Sequence, residues 1–97
     1  MSNWQLDLLK YANVHDGHFG KNTEWPLKDF ARYVNKLVKL GAENIKIIDA
    51  ETFSFTFIPP GKDKLLICIL TESYMPSFVK VKKDTSGIHT MTLEFRY

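Results

Sequence analysis

This sequence predicts an α+β fold, in which amphipathic helices pack on one face of an antiparallel sheet. Two observations carry that prediction. Apolar residues recur at three- and four-residue spacing through residues 23–41, as they do along one face of a helix. From Asn44 onward the spacing changes to two, which is typical of half-buried strands. We therefore expect one domain over residues 1–97, with the element order α-α-β-β-β-β-β.

Two helices are expected in the first half of the chain. A short one over residues 3–12 must dock on the rest of the protein, because a helix of about ten residues is marginal alone. The main helix lies within residues 23–41, where Thr23 is a candidate cap and Gly41 suits the left-handed conformation that ends many helices. Its predicted apolar face comprises Leu27, Phe30, Ala31, Val34, Leu37 and Val38.

The other face of the main helix, over residues 26–40, is basic. It carries Lys28, Arg32, Lys36 and Lys39. A helix of a soluble protein needs a solvated face, and lysine is a common way to make one. The same face could also bind an anion, because its four positive charges lie together. We therefore treat these four side chains as candidate binding residues.

Five strands are predicted after Asn44, separated by short turns. They span residues 45–48, 52–58, 64–70, 78–83 and 88–97. Short connections favour antiparallel neighbours, so we expect a four- to five-stranded meander. The third strand would lie centrally because it is apolar on both faces, and the last would lie at an edge. The apolar face of the main helix is expected to cover Phe53, Phe55 and Phe57 on the second strand.

The single cysteine, Cys68, lies in the most apolar run of the chain and is expected to be a buried core residue without a catalytic role. A lone cysteine excludes a disulfide within the chain. No apolar run is long enough to span a bilayer, and the first residues lack the features of a signal peptide. These observations predict a cytoplasmic protein that does not bind membranes.

One cluster contains residue types that could ligate a metal or transfer protons. His15-Asp16-Gly17-His18 places two histidines and a carboxylate in the loop between the helices. A zinc site needs three or four ligands, and the remaining histidine, His89, lies far along the chain. We therefore expect an ordinary exposed loop, with neither a metal nor another cofactor.

Two further sets of residues are candidates for binding. A second basic patch is expected on the outward face of the fourth strand: Lys80, Lys82 and Lys83. A set of apolar residues in predicted loops comprises Phe19, Tyr74 and Met75. Exposed aromatic and methionine side chains are enriched at protein interfaces. If the two basic patches converged, they could neutralise phosphates while Trp25 or Tyr33 stacked on a base.

The function is not fixed by any motif. A net charge of +2 is too small to indicate nucleic acid by itself, and no catalytic motif is present. The sequence favours a small protein-binding module, an inhibitor or regulatory adaptor, that acts through surface complementarity without catalysis on a protein partner of acidic character. The alternative is a nucleic-acid-binding domain that uses the basic helix face. A homodimer, formed by edge pairing of the last strand or by the exposed aromatic residues, is a further hypothesis.

Overall fold

The computed structural model describes residues 3–12, 17–20 and 22–97. Within these residues the chain forms three helices and four strands, which confirms the α+β class but not a fifth strand. The helices are α1 (Trp4–Ala12), α2 (Leu27–Lys39) and α3 (Lys62–Leu70). The strands are β1 (Glu43–Asp49), β2 (Thr52–Phe57), β3 (Phe78–Lys83) and β4 (His89–Glu94). None of the described helices is long and apolar enough to cross a membrane.

The four strands form one antiparallel sheet in the order β1-β2-β4-β3. Both β2 and β3 run antiparallel to β4, so they run parallel to each other. A parallel pair needs a long crossover, and α3 supplies it between the end of β2 and the start of β3. The predicted meander is therefore wrong. The sheet consists of two hairpins joined by a helix, and β4 inserts between the strands that α3 connects.

The prediction of a central strand over residues 64–70 is wrong, because this segment belongs to α3. A short apolar run without alternation fits a buried strand and a buried helix equally well by periodicity. In the structure Leu65 and Ile69, four residues apart, are buried, whereas Ile67 is exposed. Cys68 is half-buried beside them, so its predicted place in the core is also corrected.

The last strand does not lie at an edge of the sheet, as the sequence had predicted. Residues of β4 pair with β2 on one side, as in Leu93 opposite Phe53, and with β3 on the other, as in Leu93 opposite Val79. Among the described strands the edges are β1 and β3. Edge pairing of the last strand is thereby excluded as the basis of a homodimer, because both of its edges are already occupied.

The core forms between the helices and one face of the sheet, largely as predicted. The ring of Phe30 in α2 meets the ring of Phe53 in β2 edge to face, with centroids 5.3 Å apart. Val34 and Leu37 of α2 are fully buried in the same cluster. Val38 is 44% exposed, so its assignment to the apolar face is wrong. It lies at the margin of that face, where helical geometry turns the side chain towards solvent.

The two ends of α2 differ from each other in how well the sequence predicted them. Gly41 adopts a φ of +111° just beyond the helix, which confirms the predicted left-handed stop. Thr23 does not cap the helix, because Pro26 occupies the cap position. The hydroxyl of Thr23 instead donates hydrogen bonds to the carbonyl oxygens of Phe19 and Gly20. Thr23 therefore fixes the preceding loop rather than the helix.

Candidate functional site

A groove around Tyr74 combines an inner cavity with a wider surface depression. Its inner cavity, of about 200 Å³, lies between α2 and the segment that follows α3. A wider depression of about 640 Å³ adjoins it and is lined by residues 22–24, 73–76 and 97. Ser73 and Tyr74 line both parts, so the two form one continuous surface. We call this surface the Tyr74 groove.

The Tyr74 ring is held in place by Trp25. The two rings are stacked, with centroids 5.0 Å apart and planes 17° apart. Trp25 is itself fixed by edge-to-face contacts with Phe30 and Phe95, at 5.0 and 5.2 Å. Tyr74 is half-buried and packs against the core through this contact. The groove therefore has an aromatic wall whose orientation is set by the core beneath it.

The segment that carries Tyr74 is also anchored at both ends by hydrogen bonds. Thr71 donates from its hydroxyl to the carbonyl of Ile67 in the last turn of α3, at 2.7 Å. At the other end, the hydroxyl of Ser77 donates to the carbonyl of Glu94 at 3.0 Å and accepts from the backbone N–H of Arg96 at 2.9 Å. Anchoring a loop in this way reduces the conformational entropy that the loop loses when a partner binds.

Charged side chains of both signs surround the inner cavity. Arg32 pairs with Asp29 at 3.4 Å, and Lys36 pairs with Glu72 at 3.0 Å. Both basic side chains are more than half exposed. Exposed ion pairs contribute only about 0–1 kcal/mol, so either pair can open at little cost when a ligand competes for one partner. The two positive and two negative charges of the cavity wall therefore cancel, although Arg32 and Lys36 can still bind a ligand.

Tyr33 lines the inner cavity and is only 2% exposed. Within the described part of the chain its hydroxyl has no hydrogen-bond partner. Burial, followed by the proximity of Cys68 and Glu72, raises the pKa of Tyr33 far above its ordinary value. The hydroxyl therefore stays protonated and remains a hydrogen-bond donor. Leaving such a group unsatisfied costs about 1–3 kcal/mol of folding free energy, so the Tyr33 hydroxyl does not stabilise the fold.

The outer depression is more apolar. Met75 is 50% exposed and Tyr97 is 59% exposed, and both line it together with Tyr74 and Pro76. The side-chain amide of Asn22 donates to the carbonyl of Tyr97 at 3.0 Å, which ties the end of the chain to this surface. Large apolar side chains in such a cluster favour contact with another protein surface.

The three predicted interface residues have different outcomes. Tyr74 and Met75 lie together in the groove, as described above. Phe19 was wrongly predicted to be exposed, because it is only 1% exposed and its ring stacks on Phe30 at 3.9 Å. Its loop turns inward because the backbone N–H of Phe19 donates to the carbonyl of Trp25, and that of Gly20 donates to the carbonyl of Ala50.

The two predicted basic patches do not converge. Arg32 and Lys36 line the inner cavity, whereas the exposed Lys28 and Lys39 of the same helix lie outside it. The three lysines of the predicted patch on β3 are all exposed: Lys80, Lys82 and Lys83. Only Lys80 and Lys82 share the predicted outward face, because Lys83 alternates with them and lies on the same face as Val79 and Val81. Lys80 and Lys82 alternate with Val79 and Val81, which pack against the core that α2 covers, so these lysines face away from α2.

Nor does the structure support the predicted base-stacking residues. Trp25 and Tyr33 were proposed to stack on a base, but both are buried. Trp25 presents one face to Tyr74 and is enclosed by phenylalanines elsewhere. The arrangement of two converging basic patches around an open aromatic ring is therefore not found among the described residues, whereas the basic face of α2 itself remains a candidate for binding nucleic acid.

The predicted histidine cluster is only partly described. His15 and Asp16 lie outside the described residues. His18 is half-buried and forms an isolated bridge with Pro26. Among the residues that the structure describes, no group of three or more His, Cys, Asp or Glu side chains could hold a metal ion.

Sequence reasoning missed Glu72, Tyr97 and the polar role of Tyr33. Tyr33 could have been found, because it lies three residues after Phe30 and four before Leu37 and thus at the edge of the apolar helix face. Glu72 and Tyr97 carry no local signal. Their positions depend on the crossover by α3 and on the central place of β4, both of which are set by tertiary structure.

Comparison with known proteins finds no family model that matches this chain, and no curated protein or solved structure that matches it significantly. Neither fold nor function can therefore be transferred from a relative. The residues, contacts and charges of the Tyr74 groove are therefore the basis for assigning a function to this protein.

Proposed function

We propose that this protein is a small protein-binding module whose partner docks in the Tyr74 groove. The observation that carries the proposal is the arrangement of Tyr74 between a buried support and an exposed apolar surface. Trp25 fixes one face of the ring, while Met75 and Tyr97 present large exposed side chains beside it. A rigid aromatic anchor surrounded by apolar contacts is characteristic of the residues that dominate protein–protein affinity.

The charge of the groove favours a protein over a nucleic acid. Arg32 and Lys36 are paired with Asp29 and Glu72, and Glu24 adds a further negative charge to the outer depression. Phosphates are bound by a surplus of basic side chains, which this surface lacks. Nucleic acid remains the alternative function, and it is supported by the exposed Lys28 and Lys39 of α2 and by the exposed lysines of β3.

A second copy of this chain is a less favoured partner. The exposed strand β3 could pair with its counterpart, but antiparallel pairing would bring Lys80 and Lys82 of one copy opposite those of the other. Like charges directly opposite each other are destabilising across strands. Self-association through Met75 and Tyr97 remains a hypothesis, which light scattering at high protein concentration would test.

Site-specific crosslinking tests the proposal directly. A photoreactive amino acid is placed at position 75 in one protein and at position 67 in a second. Met75 lies in the groove, whereas Ile67 is an exposed apolar residue of α3 that does not line it. We expect position 75, but not position 67, to crosslink to a protein in a lysate of the native cells, and nuclease treatment to leave the adduct unchanged.

The same experiment has two outcomes that would contradict the proposal. Equal crosslinking from positions 75 and 67 would mean that the groove is not a preferred contact surface. Capture that nuclease abolishes, and that falls steeply with rising salt, would indicate nucleic acid, because phosphate contacts release counterions. A supporting adduct should also be lost in the Tyr74→Ala variant.

A further inference from the structure

We propose that the inner cavity of the Tyr74 groove binds a carboxylate group of the partner, with Tyr33, Arg32 and Lys36 as its ligands. This inference deepens the proposed function and rests on it, since it names the chemical group that enters the deepest part of the groove. A carboxylate can come from an aspartate or glutamate side chain or from the end of a polypeptide. These two sources share the same chemistry and are separated by the experiment below.

The Tyr33 hydroxyl is a buried donor on a side chain that lines the cavity, and no acceptor satisfies it within the described residues. Buried polar groups in folded proteins nearly always have a hydrogen-bond partner, so an exception on a side chain beside a cavity points to a ligand that supplies one. Among side-chain acceptors, an ionised carboxylate forms the strongest hydrogen bond with a neutral hydroxyl.

The two cations that line the cavity can exchange their present partners for a ligand. Arg32 and Lys36 have long side chains, and their partners hold them only through exposed ion pairs. They can turn towards an incoming carboxylate without any change in α2. Asp29 has a short side chain close to its own helix and cannot follow a ligand in the same way. Glu72, the partner of Lys36, is itself partly exposed, so water can solvate its carboxylate when Lys36 turns to a ligand. The cavity can therefore accept a negative charge through its two cations and the Tyr33 hydroxyl.

Aromatic rings could in principle favour a cation instead, because a cation binds an open ring face within about 6 Å. Tyr74 covers one face of Trp25 but keeps its own second face free of ring contacts among the described residues, so a cation would have to bind there. A cation accepts no hydrogen bond, however, and would leave the proton of the Tyr33 hydroxyl without an acceptor in the described part of the chain. The cavity, of about 200 Å³, is also smaller than the roughly 300–1,000 Å³ typical of drug-sized ligands, and it suits a single side chain.

Nuclear magnetic resonance titration tests the proposal on the intact protein. The probes are N-acetyl-glutamate N-methylamide, with a side-chain carboxylate, and N-acetylglycine, with a terminal one. The matched neutral probe is N-acetyl-glutamine N-methylamide, and the cationic probe is N-acetyl-lysine N-methylamide. For a ligand of this size we expect a dissociation constant of about a millimolar. The indole signal of Trp25 should shift, while that of Trp4, which does not line the cavity, serves as the internal control.

Three variants assign the ligands. Tyr33→Phe keeps the ring and removes the hydroxyl, and it should weaken binding of the preferred carboxylate about tenfold or more. Arg32→Gln should also weaken it several-fold. Lys28→Gln removes a charge from the same helix outside the cavity and should change binding by less than about twofold, because salt screens distant exposed charges.

Several results would overturn the proposal. These are equal binding of the glutamate and glutamine probes, preferential binding of the lysine probe, and unchanged affinity in Tyr33→Phe. The proposal would also be rejected if the carboxylate probes caused no specific chemical-shift change at probe concentrations well above the expected dissociation constant. Crosslinking from position 75 could still succeed after such a failure, because it tests for a protein partner and not for a carboxylate. Conversely, a failed crosslinking test would reject the protein partner but would not change the titration result. The two proposals can therefore fail separately.

Discussion

The two aromatic regions of this protein are built from different residues. The phenylalanine core is free of side-chain polar atoms, and all its members are at most 1% exposed: Phe19, Phe30, Phe53, Phe55 and Phe95. The Tyr74 groove contains only aromatic residues that carry a polar atom: Trp25, Tyr33, Tyr74 and Tyr97. Tyrosine and tryptophan combine an apolar body with a hydrogen-bonding group and are therefore enriched where a surface meets a partner.

This difference indicates that stability and recognition depend on separate sets of side chains. Rings of the core contact one another, as where Phe53 stacks on Phe95 with centroids 6.1 Å apart. In the groove, Tyr74 has a ring contact on one side only, and the Tyr33 hydroxyl has no partner in the described part of the chain. Trp25 joins the two regions, since it contacts both Phe30 and Tyr74.

The largest expected effect is on the core. Phe55→Ala should lower the free energy of unfolding by about 3–5 kcal/mol, because it removes a fully buried ring and leaves a cavity. Denaturant unfolding monitored by fluorescence measures the loss. A loss below about 1 kcal/mol would contradict the assignment of this face of β2 to the core and would remove the distinction between the two regions.

The fold was predictable where the sequence alternates regularly. The predicted strand over residues 78–83 has the bounds of β3, and the aromatic alternation in β2 placed Phe53, Phe55 and Phe57 on the buried face. The uniform apolar run in α3 was not predictable from periodicity, and this one error changed the topology. Once α3 is a helix, β2 and β3 can run parallel with β4 between them.

The site was predictable only in part, for a related reason. Phe19 and Tyr74 gave the same signal, a single aromatic residue in a loop rich in turn-forming residues. Their outcomes differ because of long-range contacts: Phe19 is drawn inward beside Phe30, and Tyr74 stacks on Trp25 at the surface. Contacts of this kind cannot be predicted from local sequence, because they depend on which distant segments the topology brings together.

Truncation of Tyr74 should affect binding more than stability. Tyr74→Ala removes a half-buried ring and one stacking contact, and we expect it to lower the free energy of unfolding by only about 1–2 kcal/mol. Partner crosslinking from position 75 should nevertheless be lost. Thermal or denaturant unfolding together with crosslinking checks both parts. A loss of stability as large as that of Phe55→Ala would mean that Tyr74 serves mainly to stabilise the core and not to bind a partner.

Removal of the Tyr33 hydroxyl should have the opposite sign. Tyr33→Phe removes a buried hydroxyl without a partner in the described residues and keeps the ring, so the free energy of unfolding should rise by about 1 kcal/mol. Greater stability combined with weaker carboxylate binding would show that the hydroxyl is retained for recognition. Denaturant midpoints of the two proteins provide the measurement. A clear destabilisation would instead reveal a structural hydrogen bond made by this group.

The smallest expected effect lies outside both regions, in the turn between β3 and β4. Asp84 accepts hydrogen bonds from the hydroxyl of Ser86 at 2.7 Å and from the backbone N–H groups of Ser86 and Ile88 at 2.8 and 2.9 Å. These bonds, that from the Ser86 hydroxyl first, lower the pKa of Asp84 in the folded protein. Because the folded pKa lies below the unfolded value of about 3.9, the carboxylate stabilises the fold above that pH, and the contribution is lost as pH falls through the folded pKa.

Asp84→Asn therefore provides a test in which pH, rather than a second substitution, is the control. At neutral pH the variant should be slightly less stable than the parent protein, and the difference should shrink as the pH is lowered below about 4. Urea unfolding of both proteins over this pH range measures it. Neither Phe55 nor Tyr33 carries a group that titrates in this interval, so their effects should not change with pH in the same way. A difference that persists unchanged at the lowest pH would show that the turn depends on the shape of the side chain and not on its charge.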